Sequence, residues 1–312
     1  MAGIGVRLNK IFGKNTLTTN MIGFFYSTLV TVAPMFAIII NLVLMEYFLK
    51  FSTLGYAQRE LFSCTILYTF IFSLLTASPF NAVLSRYISD VIYEERYQDI
   101  LPCYHIGMVL NIALSCLVGI PFCLWEHFIG GVSVAYVFAG FWCYSSLVLV
   151  FYSMIYLSIC KDYQRIAQYY GIGMLVAFFL SLFFRYILHW GITQSMLAAM
   201  DAGFFLTAVL ENALIKRYFR KNSNRYKPVL AYFKKYWQLV VTNFLYILGL
   251  YVHNFVFWTT DMKMVVVDSF VCNQPYDMAS CIAMFTNISA TIIFIARVEM
   301  YFHEKYKLYS EA

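Results

Sequence analysis

The sequence predicts an all-α fold, a polytopic transmembrane helix bundle of about eight spans with the N-terminus and C-terminus both cytoplasmic. Three observations lead there. Of 312 residues, 62% are hydrophobic and 12% charged, whereas a soluble domain carries about 25% charged residues. Too few polar side chains remain to cover a water-facing surface of this size. Eight apolar segments are each long enough to cross a hydrocarbon core of about 30 Å as a helix. Finally, 18 of the 22 basic residues fall on alternate sides of those segments, the distribution that marks cytoplasmic loops.

Residues 3–14 come first. Ile4, Leu8, Ile11 and Phe12 share one helical face, and Arg7, Lys10 and Lys14 another. This pattern favours a basic amphipathic helix in the membrane interface over a disordered tail. The eight apolar segments follow at 20–48, 61–85, 105–127, 132–159, 166–189, 193–216, 237–258 and 279–298. The first contains the uncharged run Met21–Met45, longer than the apolar stretch of a signal peptide, so it is expected to be a retained span. Pro34 and Pro79 each remove a backbone hydrogen bond from spans one and two.

The basic residues test this division. Arg7, Lys10 and Lys14 precede the first span, Arg86 and Arg96 follow the second, and Lys161 and Arg165 follow the fourth. Eight more lie between Lys216 and Lys235, and Arg297, Lys305 and Lys307 stand near the end. The other side keeps Lys50, Arg59, Arg185 and Lys263. The net charge of +6 therefore reads as membrane topology, with no nucleic-acid partner. The basic stretch divides the chain into an amphipathic segment (1–19), a six-helix lobe (20–217), a cytoplasmic linker (218–236) and two helices of a second lobe (237–312). Thr19-Asn20 and Thr242-Asn243 open corresponding spans, compatible with a duplicated six-helix unit.

Catalytic and metal motifs are missing from the sequence. It has no GxxxxGK[ST] for ATP, no HxxxxD and no GxSxG. His303-Glu304 lacks the second histidine of HExxH, and the five histidines are scattered. No metal, cofactor or enzymatic activity is expected. The eight cysteines fall mostly in apolar runs, where cysteine behaves as a small hydrophobe. Cys272 and Cys281 are the one pair that loop proximity suggests for a disulfide.

Polar residues within spans carry the site prediction. Asn20, Ser27, Thr31, Pro34 and Asn41 fall within an arc of about 80° on the first span. On the seventh, Asn243, Tyr246, His253 and Asn254 fall within about 100°. Ser280, Asn287 and Thr291 share one face of the eighth. Any one such residue serves well as glue between helices. Three continuous stripes point to a wet cavity instead. Asp201 and Glu211 are acids inside the sixth span, where a charge costs at least about 2.5 kcal/mol. Two readings of Asp201 stand together: a pair with Arg185, or a protonated acid while Arg185 snorkels outward. Glu211 is expected to snorkel towards Lys216. Aromatic residues, 20% of the chain, suit span ends.

Three stretches resemble the PelG family of Pel exopolysaccharide export proteins. They are Met1-Ala2-Gly3-Ile4-Gly5 continuing Val6-Arg7-Leu8-Asn9-Lys10; Ser85-Arg86-Tyr87-Ile88-Ser89-Asp90 with Tyr93, Glu94 and Tyr97; and Phe255-Val256-Phe257-Trp258, Tyr276-Asp277 and Val298-Glu299 with Phe302 and Tyr306. The motif positions are Arg86, Tyr87, Asp90, Tyr93, Trp258, Tyr276, Asp277 and Glu299. The resemblance implies a transporter related to the multidrug and polysaccharide flippases, with two six-helix lobes about a central cavity in the cytoplasmic membrane. It implies an amino-sugar polymer rich in N-acetylgalactosamine as substrate. It also implies a cytoplasmic glycosyltransferase and small membrane subunits as partners, one of them sensing cyclic di-GMP. Family members continue through about four more helices, so the resemblance implies one lobe and the first two helices of the next.

Independently of the resemblance, moving a sugar hydroxyl into hydrocarbon costs about 4–8 kcal/mol, a barrier that a bundle with inward polar stripes removes. Two other readings compete. One is a scaffold that only holds a synthase at the membrane. The other is an embedded glycosyl- or acyltransferase built on Arg86, Asp90, Glu94, Glu95 and Asp99, a cluster that reads equally as a solvated charge run.

Overall fold

The structure is a computed structural model and describes residues 17–160, 162–266, 269–283 and 286. The fold is an all-α polytopic bundle. Its helices are α1 Leu17–Phe48, α2 Tyr56–Tyr93, α3 Ile100–Phe128, α4 Val134–Ile159, α5 Tyr163–Tyr186, α6 Ile192–Tyr218, α7 Lys227–Lys235, α8 Trp237–Trp258, and α9 over 274–283. Six of them, α2 to α6 and α8, are long and apolar enough to cross a membrane. The 32 residues of α1 cover the predicted first span, and α9 enters the predicted eighth. The amphipathic stretch 3–14 and most of the eighth span lie outside the described residues.

Polar residues next to the apolar runs set the helix ends. Ser133 Oγ accepts the Tyr136 amide at 3.4 Å and caps α4, and the Asp162 carboxylate does the same for Arg165 on α5. At 38 residues, α2 spans about 57 Å and overshoots its predicted apolar core at both ends. Gln58 to Glu60 continue the helix because their side chains favour it, and Arg86 to Asp90 because Tyr87 and Ile88 are buried in the core, a property that an apolar run does not register.

Helix α6 is seated against α4 and α5, α1 packs on α5, and α2 packs on α3, α4 and α8. Glycine permits the closest approach: a Cβ on Gly173 of α5 would stand 2.6 Å from the Gly203 carbonyl oxygen of α6, and one on Gly203 would stand 2.7 Å from that of Gly173. Between α3 and α4 runs a ladder of buried tyrosines. Tyr152 donates its hydroxyl to the Tyr104 carbonyl at 2.8 Å and pairs with the Tyr156 hydroxyl at 2.9 Å. Tyr104 and Ser153 share a hydrogen bond of 3.0 Å. These rings sit inside the bundle, where the expectation of an interfacial belt did not put them.

Two elements were not anticipated. The antiparallel strands β1 Met264–Val266 and β2 Phe270–Cys272 pair Met264 with Cys272 and Val266 with Phe270, in a stretch whose β-branched Val265, Val266 and Val271 suit a pleated surface. The predicted linker 218–236 holds the short helix α7, started by Pro228 in its first turn and anchored by the buried Val229.

The cysteine expectation is corrected. Cys272 is buried against Cys64 of α2, with Val266 and Phe270, while Cys281 is exposed on α9. Residues close in sequence are held apart because the strand carries Cys272 onto α2 before α9 begins.

Candidate functional site

A cavity of about 400 Å³ lies between α2, α4 and α8. Ser78, Asn81 and Ser85 reach it from α2, Ser158 from α4, and Asn243 and Tyr246 from α8. On α2 the spacing i, i+3, i+7 places all three polar side chains on one face. Pro79 has no amide to offer the carbonyl four residues back, that of Leu75. The Ser78 hydroxyl takes that carbonyl instead, at 3.1 Å. Asn243 Nδ2 donates to the Ser78 carbonyl at 2.5 Å, joining α8 to α2 at the cavity wall. Asn81 Oδ1 is buried without a hydrogen-bond partner. A polar wall with a spare acceptor can receive hydroxyl or amide donors from a guest.

Asn243 and Tyr246 thus stand together, and the remaining predicted residues go elsewhere. Asn254 Nδ2 donates to Asp277 Oδ1 at 2.7 Å and approaches Ser280 Oγ at 3.4 Å, so the polar faces of α8 and α9 meet. His253 lies with its ring edgewise to Tyr276, centroids 5.6 Å apart. Asn41 faces α5 and α6, its Nδ2 3.6 Å from Met174 Sδ and 3.4 Å from Met200 Sδ. The α1 face that carries Asn41 therefore does not open onto the cavity. The side chains of Asn20, Ser27 and Thr31, and Asn287, Thr291 and Glu299 altogether, lie outside the described residues.

Of the two readings of Asp201, the structure sets aside the pair with Arg185, and the expectation for Glu211 is corrected. Asp201 accepts a 2.9 Å hydrogen bond from Ser146 Oγ of α4. Arg185 donates to the Trp190 carbonyl at 2.9 Å in an exposed turn. The two do not pair: Asp201 sits nine residues into α6, a rise of about 13 Å, while Arg185 occupies the last turn of α5. Glu211 does not snorkel towards Lys216. It is fully buried, and neither carboxyl oxygen has a partner. Among the described residues, no group of three or more His, Cys, Asp or Glu side chains is placed to hold a metal ion.

Sequence reasoning missed Asn81, Ser78 and Ser85. Their signal was present as the same helical polar stripe read on the other spans, in a helix whose proline drew the attention.

Among known families, PelG, described as "Putative exopolysaccharide Exporter (EPS-E)", matches residues 1–312, the whole chain. The chain belongs to the PelG family. No curated protein matches it, and no solved structure does. The family is one of exopolysaccharide exporters, and the apolar helices make this member a membrane protein.

In this PelG-family chain the two motif regions within the described residues build two struts. At one end of α2, Arg86 lies over the Tyr236 ring, 4.4 Å from its centroid. The Tyr232 hydroxyl donates to Asp90 Oδ2 at 2.9 Å, and Tyr87 meets the Tyr232 ring edge to face at 4.9 Å. These contacts clamp α7 to α2. Arg96 Nε donates to Glu94 at 2.5 Å, and its Nη1 to Asp99 at 2.7 Å. Asp90, Glu94 and Asp99 are thereby engaged in fixing the helix junction, while Tyr93 is exposed.

At the other end of the bundle, Asp277 gathers donors. Trp258 Nε1 lies 3.3 and 3.2 Å from its two oxygens, and the Asn273 amide donates to Oδ2 at 2.9 Å. Tyr276 stacks on Phe257 with centroids 3.8 Å apart.

Proposed function

We propose that the cavity between α2, α4 and α8 is part of the path by which an exopolysaccharide crosses the cytoplasmic membrane. The observation that carries this reading is the group of polar side chains Ser78, Asn81, Ser85, Ser158, Asn243 and Tyr246, set among apolar ones such as Leu74, Phe151, Met154 and Ile247, around about 400 Å³. Inside a bilayer such groups are costly unless they face a partner or a wet space. A saccharide brings hydroxyl donors that Asn81 Oδ1 can accept, and the wall supplies the hydrogen bonds that hydrocarbon denies.

The substrate in this reading is a Pel-like amino-sugar polymer rich in N-acetylgalactosamine. It is handed over by a cytoplasmic glycosyltransferase working with small membrane subunits. Residues 20–217 act as one six-helix lobe, 218–236 as a cytoplasmic junction, and 237–312 as part of a second lobe, of which α8 borders the cavity. His253 lies farther along α8, on the outward course of the same path, and Asn254 beside it is held in the buried contact with Asp277. The basic residues around α7 support a cytoplasmic position for that junction, within reach of the synthase.

The test is export in cells that contain the synthase components but lack their own exporter. Asn81→Leu and Asn243→Leu remove polar wall groups worth about 1 kcal/mol each. The double variant is expected to slow polymer appearance outside the cell roughly thirtyfold, with membrane abundance unchanged. Undiminished export by an abundant double variant would overturn the reading.

A further inference from the structure

We propose that Cys64 and Cys272 join as a disulfide that pins the β1–β2 hairpin to α2 at the outward end of the bundle. Both side chains are buried, and they share one cluster with Val266 and Phe270. The two side chains pack into the same buried cluster, Cys64 from α2 and Cys272 from β2. They belong to segments 208 residues apart in sequence, which the fold brings together at one point.

The seat is already built by other contacts. Val271 is held to α2 on both sides of its peptide, since the Tyr68 hydroxyl donates to its carbonyl at 2.6 Å and its amide lies 3.2 Å from the same oxygen. Gln274 donates to Glu60 at 3.0 Å. Ser269 donates to Glu126 of α3 at 2.5 Å. A hairpin fixed at its turn, at its second strand and just beyond presents Cys272 to Cys64 with little freedom left. Cys281 is exposed on α9 and has no such seat.

The compartment suits the bond. Helix α2 runs from Cys64 at one end to Asp90 at the other, where Tyr232 of the basic α7 is bound. Cytoplasmic charge on α7 therefore places the hairpin on the outer side, where thiols are oxidised rather than kept reduced.

The chemistry closes without a cofactor, given a protein-borne disulfide as oxidant. Before the hairpin seats on α2 the Cys272 thiol is accessible, and its thiolate is the attacking group. It attacks the donor disulfide, forming a mixed disulfide and releasing one donor thiolate. Cys64 then loses its proton and attacks the Cys272 sulfur, releasing the second donor thiolate. Two thiols of this chain are oxidised, and one donor disulfide is reduced to two thiols.

The experiment takes the full chain from membranes of cells whose outer compartment is oxidising. Free thiols are trapped with N-ethylmaleimide in denaturant without reductant, and digested peptides are read by mass spectrometry. The expected result is one cross-linked peptide pair carrying Cys64 and Cys272, abolished by dithiothreitol and by Cys272→Ser but retained in Cys281→Ser. Maleimide on both Cys64 and Cys272 of the unreduced wild-type chain would overturn the proposal, as would a Cys272–Cys281 cross-link. The readout is a bond and not polymer, so its failure leaves the export reading standing.

Discussion

Replacing Asp277 by alanine tests the logic of the knot at the outward end of α8. The carboxyl is nearly buried and receives the Asn254 amide, the Trp258 indole N–H and the Asn273 backbone N–H. Removing it strands three donors where water does not reach. Each buried donor left unsatisfied costs about 1–3 kcal/mol, so the three together cost at least about 3 kcal/mol. Trp258→Phe removes one donor and keeps most of the ring packing, a cost of about 1 kcal/mol.

Because the two residues touch, the double variant is expected to lose less than the sum, by about 1 kcal/mol. Thermal unfolding in detergent, followed by size-exclusion chromatography with fluorescence detection, reads this as a fall in midpoint on the order of 10 °C for Asp277→Ala. A fall below about 2 °C, or strict additivity with Trp258→Phe, would refute the claim that Asp277 organises the knot.

Two further outcomes follow from particular contacts. Gly173→Val forces a side chain against the Gly203 carbonyl, a backbone atom that cannot swing aside, and is expected to cost about 1–3 kcal/mol, seen in the same unfolding assay; an unchanged midpoint would mean that α5 and α6 are farther apart than described. Tyr232→Phe deletes the 2.9 Å bond to Asp90 at about 1 kcal/mol. The expected sign is faster trypsin cleavage at Lys234 and Lys235 in inside-out vesicles, and equal cleavage rates would show that this bond does not hold α7.

What the sequence disclosed divides by range. Span existence was legible because each span carries its own length and apolarity, so 237–258 coincides with α8. The polar faces were legible one helix at a time: Asn243 and Tyr246 share a wall, as their spacing suggested. Which helix each face meets depends on packing between distant segments. Asn41 finds two methionine sulfurs of α5 and α6, and Asp201 finds Ser146 rather than Arg185. Arg185 takes the local carbonyl of Trp190, since a surface turn can satisfy it where it stands. Cys272 meets a residue 208 positions away, a proximity that no local pattern encodes. Trp258 and Asp277 were legible as motif residues, but their joint task shows only once a hairpin folds between them.

The length of α2 has a mechanical meaning. One continuous rod meets the basic α7 at its inner tip through Arg86, Tyr87 and Asp90, and meets the hairpin at its outer tip through Cys64 and Tyr68. Anything that pulls on α7 therefore loads the outer cap through the same beam. The one place along that beam with a missing rung is Pro79, flanked by Ser78 and by Asn81 on the cavity wall. Bending there would change the width of the cavity and the angle of both tips together, so a pull on α7 acts on a lever whose fulcrum lies beside the cavity.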